Sequence, residues 1–107
     1  MSEPLWRWDA TALVAAIGKR EISAREAATA CIERMHDVNP RLNAVTVDLS
    51  EQALLAADRA DSAVARGEPL PPLHGVPVTI KENIDQQGCA TTNGVAALRS
   101  LAGRCSP

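Results

Sequence analysis

The sequence predicts an α/β protein in which three N-terminal helices lead into an interior strand, and three observations carry that reading. Apolar residues recur at helical spacing from Ala10 to Val64. The period then switches to a continuous apolar run, Val76-Pro77-Val78-Thr79-Ile80, and a proline-rich stretch between the two excludes regular structure. A strand covered on both faces needs neighbours for its ladder hydrogen bonds, and unpaired buried backbone groups each cost roughly 1–3 kcal/mol. No such neighbour is legible in these 107 residues. The chain therefore reads as the opening section of a larger α/β protein, incomplete as a fold.

The first helix is expected after Asp9, whose carboxylate caps the free N–H groups of the opening turn. Ala10, Leu13, Val14 and Ile17 form its apolar stripe, and Gly18 closes it. Ser23-Ala24-Arg25-Glu26 has the reciprocal pattern of a capping box and starts a second helix with Ala27, Cys31, Met35 and Val38 facing inward. Asn39-Pro40 is expected to stop it, because proline lacks a donor and restricts the residue before it. Leu42 to Val47 is short and partly β-branched, which suggests a strand or an extended connection. A third helix from about Asp48 or Ser50 carries Ala53, Leu54, Ala57, Ala60 and Val64 on one face, and Gly67 fits the left-handed position beyond its end. In outline, residues 9–67 are helical, 68–74 form a stiff Pro-rich loop and 75–94 form the strand and the segment after it. Residues 95–107 are a weakly helical tail that reads as truncated, and the whole is the N-terminal portion of a single domain.

Composition narrows the function. Eleven basic residues against thirteen acidic ones give a net charge of −2, so the chain has no basic field to hold nucleic acid or an anionic membrane. Hydrophobic residues make up 46% of the chain, which argues against disorder. Phe and Tyr are absent and both Trp residues, Trp6 and Trp8, lie near the N-terminus, so the core must be built from Ala, Leu, Val and Ile. The two Trp side chains are expected to pack the N-terminal segment onto its own domain. Three cysteines, Cys31, Cys89 and Cys105, lack the spacing of a disulfide framework or a zinc knuckle, and the apolar run from Ala12 to Ile17 is too short for a signal peptide or a membrane span. A cytoplasmic location is expected, with no metal and no cofactor.

The position best placed for chemistry is Lys81, one of only two lysines beside nine arginines. It follows the apolar strand and opens the polar turn Glu82-Asn83-Ile84-Asp85, at the kind of strand end where α/β sheets build their sites. Burial can lower the pKa of lysine far enough for its neutral amine to take a proton from a hydroxyl, which arginine cannot do. The plainer alternative is a strand-end lysine with its head in water, paired with Glu82 or Asp85. Other candidates are weaker. Cys89 with His36 or His74 has no spacing that defines a nucleophile and its base, and Cys31 reads as core. His74 reads as a residue that turns the chain into the strand. Glu82, Asn83 and Asp85 lack the pattern of a calcium loop and are expected to anchor the loop by hydrogen bonds to backbone, with Thr91, Thr92 and Asn93 holding the loop that frames the site.

The string Leu73-His74-Gly75-Val76-Pro77-Val78-Thr79-Ile80-Lys81-Glu82-Asn83-Ile84-Asp85, followed by Gly88 and Thr91-Thr92-Asn93-Gly94, closely resembles the lysine segment of the amidase signature family. The helices before it, notably Asn39-Pro40-Arg41-Leu42-Asn43-Ala44, are similar too, so the resemblance runs from about Trp8 to Leu101. It implies a mixed central sheet covered by helices and a Ser-cisSer-Lys hydrolase acting on a small-molecule carboxylic amide. In such an enzyme the lysine matching Lys81 relays a proton through a serine on a cis peptide to the nucleophilic serine. The Gly/Ser-rich segment with both serines has no match here, since Ser100 and Ser106 lack the glycine setting. The chain is therefore expected to carry the lysine alone and to be inactive by itself. Two alternatives accompany this reading: the amidase subunit of a tRNA-dependent amidotransferase, and a non-catalytic helical binding module.

Overall fold

The computed structural model describes residues 3–90 and 92–96. The chain divides into two compact units, Met1–Pro77 and Val78–Pro107. In the first unit a 3-10 turn, Leu5–Arg7, precedes three helices: α1 (Ala10–Gly18), α2 (Ala24–Leu42) and α3 (Ser50–Ala65).

Each helix begins where its capping chemistry dictates. Asp9 accepts the Ala12 N–H at 2.8 Å. Ser23 Oγ accepts the Glu26 N–H at 2.9 Å while Glu26 Oε1 accepts the Ser23 N–H at 3.0 Å, completing the capping box. Two N–H groups at the start of α2 lie beyond the reach of that box, and α3 supplies their acceptor: Asp61 Oδ1 takes the Ala24 N–H at 2.7 Å and Oδ2 the Arg25 N–H at 3.1 Å. Arg25 also pairs with Asp58 at 2.7 Å, so the C-terminal half of α3 lies against the N-terminus of α2 and the two helices form an antiparallel hairpin.

The core of this unit is small. Leu13, Ala16, Ile17, Ala24, Ala27, Ala28 and Ala57 are buried, with Trp8, Ile22, Leu54, Val64 and Val76 packed around them. Alanines facing alanines let the helix backbones approach closely, and Ile17 is the largest side chain fully enclosed, worth about 1.5–3 kcal/mol by area removed from water. Trp8 packs against this core and its indole N–H donates to the Glu3 carbonyl at 3.0 Å. Trp6 remains 38% exposed, with the Arg34 guanidinium 4.3 Å from its ring centroid.

Two sequence expectations require correction, and a third is decided between its alternatives. Pro40 does not stop α2: the helix continues to Leu42 and ends where Asn43 turns left-handed (φ 50°), its N–H bonded to Asn39 O at 2.6 Å. Proline removes only one donor, and in the last turn that loss is tolerated. Of the two forms expected for Leu42 to Val47, a strand does not occur and the residues after Leu42 form a connection. Asn39 takes the place of a strand neighbour, donating through Nδ2 to Val45 O at 3.0 Å and accepting the Val45 N–H through Oδ1 at 2.9 Å. The run from Val76 to Ile80 is not a strand either, and no strand occurs among the described residues. Val76 joins the helical core, whereas Val78 and Ile80 are 71% and 48% exposed. Without a neighbouring strand to pair its backbone groups, an apolar run gains nothing from ladder geometry. The described residues are thus helical, and the expected strands of an α/β fold do not occur among them. The expected helical patch from Val95 to Leu101, Thr91, Ser100, Cys105 and Ser106 fall wholly or largely outside the described residues.

Candidate functional site

Lys81 lies in the second unit, at the start of a turn closed by the Ile84 N–H donating to the Lys81 carbonyl at 3.0 Å. Its side chain is exposed. The ion pairs among the described residues are Arg25–Asp58, Arg34–Asp37, His36–Asp48 and Arg66–Glu68, and Lys81 takes part in none of them. An exposed Lys81 is what the plainer alternative, a lysine with its head in water, expects, and the pairing with Glu82 or Asp85 offered alongside it is not among these ion pairs.

Glu82 has other partners. Its Oε1 accepts the Asn93 N–H at 2.9 Å, and its Oε2 accepts both the Thr92 N–H at 2.6 Å and the Thr92 hydroxyl. Thr92 Oγ1 in turn accepts the Gly94 N–H at 3.2 Å, and the Thr92 carbonyl accepts the Val95 N–H at 2.8 Å. One carboxylate thus fastens the loop at residues 92–94 to the residue next to Lys81. The Thr92 hydroxyl, followed by the Thr92 and Asn93 amides, holds the Glu82 carboxyl below the usual glutamate range, because each donates to the ionised form. The expectation that Glu82 anchors the loop through backbone N–H groups matches this geometry.

The histidines do not join Lys81. His74 sits in the turn at residues 72–75 of the first unit, and its Nε2 donates to Ala60 O at 2.9 Å, since a carbonyl can only accept. That bond ties the turn to α3. His36 pairs with Asp48 at 2.8 Å across the α2–α3 connection, a contact the sequence pattern did not reveal. Asp48 is lowered to about 2, first by the Ser50 hydroxyl and next by His36. Cys31 is half-buried on α2, and loss of solvent raises its thiol pKa, the opposite of an activated nucleophile. Two open clefts in the helical unit, about 400 and 270 Å³, are lined in part by Ser23, Glu26 and either Leu5 or Ile17, and neither includes Lys81.

The described residues thus comprise a helical unit with its own core and, in a separate unit, a lysine-bearing loop fastened by a carboxylate. The chain belongs to the Amidase family, whose model matches residues 26–104. Indoleacetamide hydrolase of Bradyrhizobium diazoefficiens is 54% identical over 94 residues, covering 88% of this chain and 18% of that protein. A glutamyl-tRNA(Gln) amidotransferase subunit of Moorella thermoacetica is 43% identical over 76 residues, 71% of this chain and 16% of that protein. A solved structure, described as an unexpected vestigial protein complex that reveals the evolutionary origins of an s-triazine catabolic enzyme, superposes with a TM-score of 0.83 at 30% identity, over 89% of this chain and 21% of that one. The chain therefore spans about a fifth of the length of the proteins it resembles.

Proposed function

We propose that these residues form the lysine segment of an enzyme that hydrolyses a small carboxylic amide to acid and ammonia or amine. Lys81 would be the base of a Ser-cisSer-Lys triad whose two serines lie outside the 107 residues. The observation that carries the reading is the position of Lys81: an amine outside the ion pairs described, beside a fixed loop, within the stretch matched by the Amidase family. In the proposed step the neutral amine takes a proton from the bridging serine, which takes one from the nucleophilic serine as its oxygen bonds to the amide carbon. Backbone N–H groups meet the oxyanion, the nitrogen leaves with a proton returned along the same relay, and water releases the acid. In the assembled protein the run from Val76 to Ile80 would become an interior strand of a mixed sheet covered by helices, enclosing the exposed Val78 and Ile80. The proposed organisation is a single domain with a helical opening at residues 9–67, a Pro-rich loop at 68–74 and the lysine segment at 75–94. The substrate to try first is indole-3-acetamide, because the hydrolase named for that amide is 54% identical. Membership of an amidotransferase as its amidase subunit is the second reading, favoured by the 43% identity to a protein of that kind.

The test is a chimera in which this chain replaces the matching 94 residues of the Bradyrhizobium hydrolase. The chimera should hydrolyse indole-3-acetamide, and Lys81→Ala and Lys81→Arg should each remove turnover by about a hundredfold or more, the scale of general-base loss. The separate 107-residue chain should show none. A folded chimera without activity, or a Lys81→Ala chimera that keeps it, overturns the proposal.

A further inference from the structure

We propose that Glu82 is a positioning residue for Lys81, a carboxylate staple that fixes the backbone from which the lysine projects. The inference rests on the reading of Lys81 as the base and goes beyond it by assigning a task to the residue beside it.

The geometry is specific to one carboxylate. Both Glu82 oxygens are used, Oε1 by the Asn93 amide at 2.9 Å and Oε2 by the Thr92 amide at 2.6 Å and the Thr92 hydroxyl. The Lys81 carbonyl is itself held by the Ile84 N–H at 3.0 Å. The Lys81–Glu82 peptide therefore lies between two anchors, a local turn on one side and a loop ten residues downstream on the other. A lysine stem has four rotatable bonds, so the reach of its amine is only as well defined as the backbone that carries it. Charge-assisted bonds to a carboxylate are stronger than neutral ones, which makes this staple a firmer hold than an amide could give.

Thr92 gives the test its discrimination. Its hydroxyl donates to Glu82 and accepts from the Gly94 amide at 3.2 Å, so valine removes both bonds at constant shape while serine keeps them. Gln at position 82 keeps the length of the side chain but sets an NH2 group against one of the donors it must accept.

Two measurements decide. In the 107-residue chain, amide hydrogen exchange at Thr92, Asn93 and Gly94 should be slowed in the parent and in Thr92→Ser, and lose its protection in Glu82→Gln and Thr92→Val. In the chimera, Glu82→Gln and Thr92→Val should lower kcat about 10- to 100-fold with little change in KM, the cost of a misplaced catalytic group, and Thr92→Ser should stay near the parent. An unprotected loop in the parent chain, or full kcat in a Glu82→Gln or Thr92→Val chimera whose Lys81→Ala counterpart is inactive, overturns the positioning role and leaves Lys81 as the base. A chimera indifferent to Lys81→Ala overturns the base assignment, and the positioning role with it.

Discussion

Gly75 offers the sharpest test of the packing, because two separate costs meet at one atom. Its φ is +79°, and a Cβ built there would lie 3.0 Å from Ala24 Cβ and 3.3 Å from both Cδ1 and Cγ2 of Ile17. The left-handed backbone costs a side chain roughly 1–2 kcal/mol. The contact adds about 1–3 kcal/mol, the range for overpacking, because neither neighbour can retreat. Ala24 is 0% exposed and belongs to the first turn of α2, which the capping box and Asp61 hold, and Ile17 is 1% exposed. Gly75→Ala should therefore destabilise the helical unit by about 2–5 kcal/mol. Gly67 provides the reference: its φ is +71° but its Cβ position is open, so Gly67→Ala should cost the backbone term alone, about 1–2 kcal/mol. Urea unfolding of the 107-residue chain, followed by far-ultraviolet circular dichroism, measures both. Ala24→Gly in the Gly75→Ala background should recover part of the loss, and the double-mutant cycle isolates the contact. Equal losses at Gly67 and Gly75 with no coupling to Ala24 would refute the account of a closed junction.

Two further outcomes follow from the electrostatics. Asp61→Ala leaves the Ala24 and Arg25 amides without their acceptor at the start of α2 and should cost about 1–3 kcal/mol, whereas Asp58→Ala breaks only the half-exposed pair with Arg25 and should cost no more than about 1 kcal/mol. The same unfolding curves check this, and equal losses would sink the capping role. For Asp48 the folded pKa is depressed, so its stabilising bonds are fully present above the usual carboxylate value and are lost as pH falls toward the folded value. Side-chain NMR should place its titration at about 2, with Ser50→Ala moving it upward more than His36→Ala does, and an unshifted titration would refute the hydrogen-bonded connection.

How much of this was legible in the sequence depends on whether a feature is local. Asp9, Ser23 with Glu26, and Gly67 announce helix ends through chemistry completed within four residues, and all lie where the pattern puts them. The apolar stripes were readable in part: Leu13, Ile17, Ala27 and Ala57 are buried, whereas Cys31, Met35 and Val38 farther along α2 are only half-buried. Asp61 was not readable as a cap for α2: its partners are 37 and 36 residues away, and nothing in the local sequence distinguishes it from any acidic residue on a solvated helix face. The pairing of His36 with Asp48 was hidden for the same reason. Asn39 misled in a different way. Before a proline it reads as a stop, yet its amide reaches Val45 and supplies both bonds that a strand neighbour would have given. Lys81 stood out by residue type and by position after an apolar run, and Glu82 by its place in the turn. The residue that makes Glu82 a staple, Thr92, was only one of several polar residues framing the loop.

The apolar run before Lys81 differs from the helices in how its backbone groups can be satisfied. The helices satisfy their own backbone groups, and the remaining orphans at the start of α2 find acceptors in Ser23 and Asp61. A strand cannot do this, because every ladder bond requires a second chain segment. The residues of the run are suited to burial on both faces, while Val78 and Ile80 are exposed and Val76 is drawn instead onto the helical core. Sequence preference and observed environment therefore disagree at Val78 and Ile80, a conflict between levels. The Glu82 staple is the exception in that segment. It is formed by Glu82 with Thr92 and Asn93, so the residue beside Lys81 is held by side-chain and loop groups with no ladder bond required.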